Sequence, residues 1–421
     1  MEIISLYGFW FIALAAIFGL YMTWGIGAND VANAMGTSVG SGAITVKQAI
    51  LIAAVFEFAG VMLAGGHVTE TVRKGIIDPT PLIDSPELLV YGMLASLLAA
   101  GLWLMIASTR GWPVSTTHSI IGALVGFALV GIGDDAIQWA KVWQIVASWV
   151  ISPLIGGAIA LMVILSIRRL ILDTETPFEN AKKWGPAYVF LVGFLIALVT
   201  LFKGLKHLDI ELTVTMSFVW SIMIGLVTAL LAWFFIRNKE ADAEADREFQ
   251  FASVERVFIP MQVFTACAMA FAHGSNDVAN GIGPLSAVVS IVQSGGQVAQ
   301  TAGVPIWILF LGGIGIVVGL ATMGYRVMLT IGKHITELTP TRGFAAELAA
   351  AATVVLASRT GLPVSTTHIL VGAVMGVGLS RGIAALDLRV VARIGLSWIV
   401  TLPIGALLSA FFFFVLRGIF G

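Results

Sequence analysis

The sequence predicts an all-α integral membrane protein of about 12 transmembrane helices, in two inverted-topology repeats with re-entrant or broken helices. Three observations predict it: a composition suited to lipid, a series of apolar segments of spanning length, and two motifs that each occur twice in the same order.

Composition comes first. Of 421 residues, 58% are hydrophobic and only 11% are charged, against about 25% charged in a soluble domain. A larger core would not remove the need for a charged surface, whereas lipid as solvent does. A net charge of −1 gives no basic field that would attract nucleic acid. Cys267 is the one cysteine, so an internal disulfide and a cysteine-based metal centre are both excluded. The apolar start lacks a positive n-region and a small-residue cleavage site, so it reads as a first span rather than a signal peptide. The 46 glycines and 13 prolines suit close helix packing and interrupted helices.

A helix needs about 20 apolar residues to cross the hydrocarbon core. Segments near that length fall at 4–24, 48–66, 87–108, 113–131, 141–167, 185–205, 213–236, 256–273, 304–325, 343–358, 361–379 and 391–417. Two further stretches, 25–45 and 274–296, are apolar but rich in Gly, Ser and Asn. They suit re-entrant or broken segments that face protein or water better than lipid-facing helices. Linkers 168–184 and 237–256 carry clustered Lys and Arg, while the short loop between them offers only Lys203 and Lys206. The positive-inside rule places both linkers in the cytoplasm. The acidic run Glu240–Glu248 reads as a solvated surface segment.

The repeat organises the chain. Gly27-Ala28-Asn29-Asp30-Val31-Ala32-Asn33 returns as Gly274-Ser275-Asn276-Asp277-Val278-Ala279-Asn280. Gly111-Trp112-Pro113-Val114-Ser115-Thr116-Thr117-His118 returns as Gly361-Leu362-Pro363-Val364-Ser365-Thr366-Thr367-His368 at nearly the same spacing. Residues 1–168 and 254–421 are therefore expected to be two copies, joined by 169–253 with two helices of its own. Five candidate spans per copy would turn the second upside down relative to the first, with both termini outside. Inverted repeats place a binding site near the midplane, where interrupted helices of the two copies meet.

Two kinds of chemistry are written in the motifs. Pro followed by Ser-Thr-Thr and an apolar run reads as a helix that begins inside the membrane. Its free N–H groups, positive dipole end and hydroxyls make an anion site. Plain capping, or hydroxyls bonded back to carbonyls, is the simpler alternative. In the other motif, an ionised Asp within a membrane costs roughly 2.5–3.5 kcal/mol unless compensated. Asp30 and Asp277 have no basic residue in their own motifs, and Asn29, Asn33, Asn276 and Asn280 add neutral oxygens. Together with backbone carbonyls of a broken helix, such a set would be a hard, oxygen-only cation site suited to Na+. Interhelical hydrogen bonding by Asn and a protonated Asp is the alternative. Glu57 and Glu347 also lie in apolar spans, as candidate coupling carboxylates. His118 and His368 are read as bonding a carbonyl rather than carrying protons. Arg110 and Arg359 read as interfacial anchors.

These paired motifs resemble the inorganic phosphate transporter (PiT) family, over nearly the whole chain. The short linker looks like that of a prokaryotic sodium/phosphate symporter. The resemblance implies a secondary active transporter that carries inorganic phosphate with Na+, or with H+ in some members, as a homodimer in the cell membrane. It implies no organic cofactor. Carried onto matching positions, phosphate would meet Ser115, Thr116, Thr117, Ser365, Thr366 and Thr367. Na+ would meet Asn29, Asp30, Asn33, Asn276, Asp277 and Asn280. A sulfate permease of the same build and an anion channel are the rivals. A membrane enzyme finds no support, because the chain has no metal cluster, nucleophile–base pair or Walker-type loop.

Overall fold

The structure is a computed structural model and describes residues 2–66, 76–78, 82–83, 85–203, 212–238, 247–297, 304–359 and 364–421. Arg73, Lys74, Lys206, residues 240–246 of the acidic run and Gly361-Leu362-Pro363 fall outside those ranges.

The described chain is built of helices. The first copy holds α1 (Glu2–Gly40), α2 (Val46–Ala64), α3 (Pro86–Thr109), α4 (Thr116–Gly131) and α5 (Trp139–Ile167). Between the copies lie α6 (Pro177–Lys203) and α7 (Val214–Arg237). The second copy holds α8 (Arg247–Gln293), α9 (Ile306–Thr322), α10 (Gly324–His334), α11 (Pro340–Arg359), α12 (Thr366–Leu379) and α13 (Leu388–Phe420). Eight helices are long and apolar enough to cross a membrane, or nine if α9 and α10, bent by 67° at their junction, form one span. This is a multi-pass membrane architecture.

Two expectations need correcting. Residues 25–45 and 274–296 were expected to break, yet α1 and α8 run unbroken through Gly40 and Gln293. Helix α1 has 39 residues, or about 58 Å at 1.5 Å per residue, and crosses a hydrocarbon core of about 30 Å with length to spare. The glycines there serve close packing. A Cβ on Gly27 would fall on the carbonyl oxygen of Ile316, and one on Gly274 on that of Glu57. Since these segments stay helical, their carbonyls already accept a helix hydrogen bond, which leaves side chains as the main candidates for cation ligands.

The chain breaks instead at the Pro-containing motifs. Helix α3 ends at Arg110 in a Schellman turn: Gly111 N–H bonds Ser108 O at 3.1 Å and Trp112 N–H bonds Ala107 O at 2.9 Å. Gly111 takes φ +66°, a left-handed conformation that a side chain disfavours. The spans expected at 113–131 and 361–379 are accordingly the 16-residue α4 and the 14-residue α12, too short to cross.

Packing crosses between the copies. Helix α4 lies on α13, α12 lies on α5, and α1 packs against α8 and α9. Helices α6 and α7 pair at the edge, where Ser217, Ser221 and Gly225 form the buried stripe of α7. Trp220, Phe234 and Phe235 of α7 stay exposed, as lipid-facing side chains do.

Candidate functional site

The Asn-Asp motifs lie in the C-terminal halves of α1 and α8, and the Ser-Thr-Thr motifs start α4 and α12. Every one of these residues is buried. Ser115 Oγ accepts the N–H of His118 at 3.2 Å, and Ser365 Oγ that of His368 at 3.3 Å. Each serine is thus a helix N-cap, as the motif predicts. The N–H groups of Thr116 and Thr117, in the first turn of α4, have no intrahelical acceptor.

The two motif types interlock, and three kinds of contact recur with the two halves exchanged. Thr116 Oγ1 donates to Asp30 Oδ2 at 2.6 Å, and Thr366 Oγ1 to Asp277 Oδ2 at 2.7 Å. Asn33 Nδ2 donates to Thr367 Oγ1 of the opposite copy at 2.8 Å, and Asn280 Nδ2 to Thr117 Oγ1 at 3.3 Å. Thr117 bonds the carbonyl of Val364 at 3.1 Å, and Thr367 that of Val114 at 3.3 Å. Asn29 clasps the α3–α4 turn, donating to Trp112 O at 3.0 Å and accepting from Val114 N at 3.1 Å. Asn276 donates to Asp277 Oδ1 at 2.6 Å and to Val364 O at 3.3 Å. Ten of the motif residues thus meet in one layer, with Ser115 and Ser365 capping the helices that enter it. The amide oxygens Asn33 Oδ1 and Asn280 Oδ1 are buried there without a hydrogen-bond partner, which suits them to a ligand.

Sequence reasoning missed one residue of this layer. His273, one position before the second motif, is fully buried. Its Nε2 lies 3.1 Å from Asp277 Oδ2 and 4.0 Å from Asp30 Oδ2, and its Nδ1 lies 3.2 Å from Glu57 Oε1. These are close contacts without hydrogen-bond alignment. One ligand atom from each of Asp30, His273 and Asp277 falls within 4.8 Å of the other two. The signal was available: a histidine four residues before an aspartate shares its helix face.

Glu57 and Glu347 take different places. Glu57 faces His273. Glu347 sits apart, where Thr37, Ser38 (2.6 Å) and Thr265 (2.7 Å) donate to its carboxylate. His118 and His368 bond carbonyls as expected, those of Trp398 at 3.1 Å and Trp149 at 3.0 Å. Their rings also meet, with centroids 4.4 Å apart. Arg110 is exposed and stacks 5.0 Å over Trp112, as an anchor would.

A sequence model described as the phosphate transporter family matches residues 26–409, a range that takes in all four motifs. The chain belongs to that family. Among relatives of this phosphate transporter, a Haemophilus influenzae protein named "Putative phosphate permease" is 53% identical over 100% of both chains. Inorganic phosphate transporter 2-1, chloroplastic, of Arabidopsis thaliana is 44% identical over 94% of this chain and 70% of its own. A solved structure described as the sodium-dependent phosphate transporter matches with a TM-score of 0.89 and 41% identity, covering 97% of this chain and 99% of that one. The protein is a transporter of phosphate and not an enzyme.

Proposed function

We propose that this transporter is a symporter that couples phosphate entry to Na+. One observation carries the reading. Asp30, Asp277 and Glu57 lie buried around a single titratable nitrogen base, His273. Three ionised carboxylates with at most one positive charge would leave the layer negative, a costly state inside a membrane. Na+ bound by Asp30, Asn33, Asp277 and Asn280, with Asn29 and Asn276 holding the surrounding chain, would offset that charge. It would also let an anion approach the N-termini of α4 and α12, where Ser115, Thr116, Thr117, Ser365, Thr366 and Thr367 supply donors. The likeness to a sodium-dependent relative supports the same choice of ion.

The reading includes two inverted repeats, 1–168 and 254–421, joined by 169–253. The exchanged contacts of the site support a two-fold relation between them. Linkers 168–184 and 237–256 would face the cytoplasm and both termini the outside of the cell membrane, on the distribution of Lys and Arg. A homodimer rests on the family resemblance. One contact favours a second reading, symport with H+: histidine titrates near neutrality, and His273 stands among the carboxylates.

The test is phosphate accumulation by purified protein in liposomes. Replacing external Na+ with choline should abolish accumulation, and excess sulfate should not compete. Undiminished accumulation in choline would exclude Na+ as the required ion, and equilibration without accumulation would mark a channel.

A further inference from the structure

A groove with a volume of about 540 Å³ is lined by the ends of α3 and α13. Three contacts show that these helices run antiparallel. Ser96 Oγ lies 3.3 Å from Ser409 Oγ, Trp103 Nε1 donates to Thr401 Oγ1 at 3.1 Å, and Ser397 Oγ donates to Pro113 O at 3.3 Å. Arg110, at the end of α3, and Arg393 of α13 therefore share one end of the groove. Each lies about 10–12 Å along its helix from the Trp103–Thr401 contact.

The two ends of the groove differ in chemistry. At one end Arg110 and Arg393 are exposed, and among the described residues neither pairs with a carboxylate. Arg110 stacks 5.0 Å over the exposed Trp112, an aromatic of the kind that marks a membrane–water boundary. Toward the other end the wall is apolar. Leu396 and Val400 are exposed there, and the Trp103 ring has its one polar atom already bonded to Thr401. A free phosphate ion would use only the cationic end, and an uncharged lipid only the apolar end. An anionic phospholipid uses both: guanidinium groups match its phosphate oxygens, and an acyl chain covers the apolar wall.

We infer that this groove binds one anionic phospholipid, with its headgroup phosphate on Arg110 and Arg393 and an acyl chain along Leu396, Val400 and Trp103. In the proposed orientation this end of α13 faces the cytoplasm, the side on which basic pockets between helices take anionic headgroups. The Trp149–Trp398 correspondence matches Arg393 with Gln144, so the two copies do not share this cation. The bound lipid would sit where α10 and α13 hold the α3–α4 turn, through Thr330 Oγ1 to Gly111 O at 3.0 Å and Ser397 to Pro113. It would add a further tie between α3 and α13. The inference does not depend on which ion drives transport.

The test is native mass spectrometry of the purified full chain, titrated with phosphatidylglycerol, with phosphatidylcholine and with inorganic phosphate. A single phosphatidylglycerol should bind in preference to phosphatidylcholine. Arg110→Gln/Arg393→Gln should weaken that binding about tenfold, as the loss of charge-assisted hydrogen bonds does, and leave phosphatidylcholine binding unchanged. Arg110→Lys/Arg393→Lys keeps both charges and should keep most of the preference, which controls for a folding defect. Val400→Trp also keeps both charges but fills the apolar end, so it too should weaken phosphatidylglycerol binding. Equal binding of the two lipids, or a preference that survives Arg110→Gln/Arg393→Gln, would overturn the inference. So would inorganic phosphate that displaces phosphatidylglycerol and binds Val400→Trp as well as it binds the unmodified protein, since that result would mark the arginines as a site for the free ion.

Discussion

Asp30 and Asp277 occupy the same place in the two copies, but their neighbours differ. Asp30 is held by hydroxyls, from Thr116 at 2.6 Å and Thr367 at 3.2 Å. Asp277 has one hydroxyl, from Thr366, and adds the amide of Asn276 and the ring of His273. The residue matching His273 in the first copy is Ile26. The two motifs thus share the geometry of the layer, while a histidine stands beside one of them and isoleucine beside the other. Two positions of equal shape and unequal charge are expected to bind cations with unequal affinity.

The largest effect should come from removing either charge. Asp30→Asn and Asp277→Asn should each largely abolish Na+-driven uptake in proteoliposomes, and full uptake with either change would end that aspartate's assigned role. Next come positions where the copies are alike. A Cβ at Gly27 or Gly274 would meet a backbone carbonyl of the facing helix, of Ile316 or Glu57. Gly27→Ala and Gly274→Ala should therefore lower the thermal unfolding temperature similarly, and no shift in either would mean the helices can separate freely. The hydroxyls sharpen the comparison. A hydrogen bond to a charged group contributes about 1.5–3 kcal/mol, so Thr116→Val should raise the half-saturating Na+ concentration about tenfold. Thr366→Val should act less, because Asp277 keeps Asn276 and His273; equal effects would argue that the two sites are equivalent. The smallest change is at the caps, where Ser115→Ala should cost about 1 kcal/mol of stability, read as a small fall in unfolding temperature with little change in Na+ response.

Much of this was legible in the sequence, for a physical reason. Polar residues are costly in lipid, so those present in apolar segments mark the site. The aspartates, asparagines and threonines of the motifs meet in one layer, while Ser115 and Ser365 cap the helices that enter it. The position of the breaks was less legible. Glycine in α1 and α8 suggested interruption, but a helix with its backbone bonds intact tolerates glycine where another backbone crosses close by, as at Gly27 and Gly274. The break fell where Gly111 and Pro113 together end one helix and delay the next until Thr116. His273 was overlooked because it stands outside the repeated motif. Its importance shows in what the repeat lacks, and only the fold brings Glu57 of α2 against it.

The central claim is that the buried carboxylates are served by Na+. The most direct test is phosphate uptake by purified protein in liposomes, with Na+ and proton gradients imposed separately. An inward Na+ gradient at equal pH should drive accumulation above equilibrium, and a pH gradient without Na+ should not. Accumulation driven by the pH gradient alone, in Na+-free medium, would contradict the account and place a proton where Na+ is assigned.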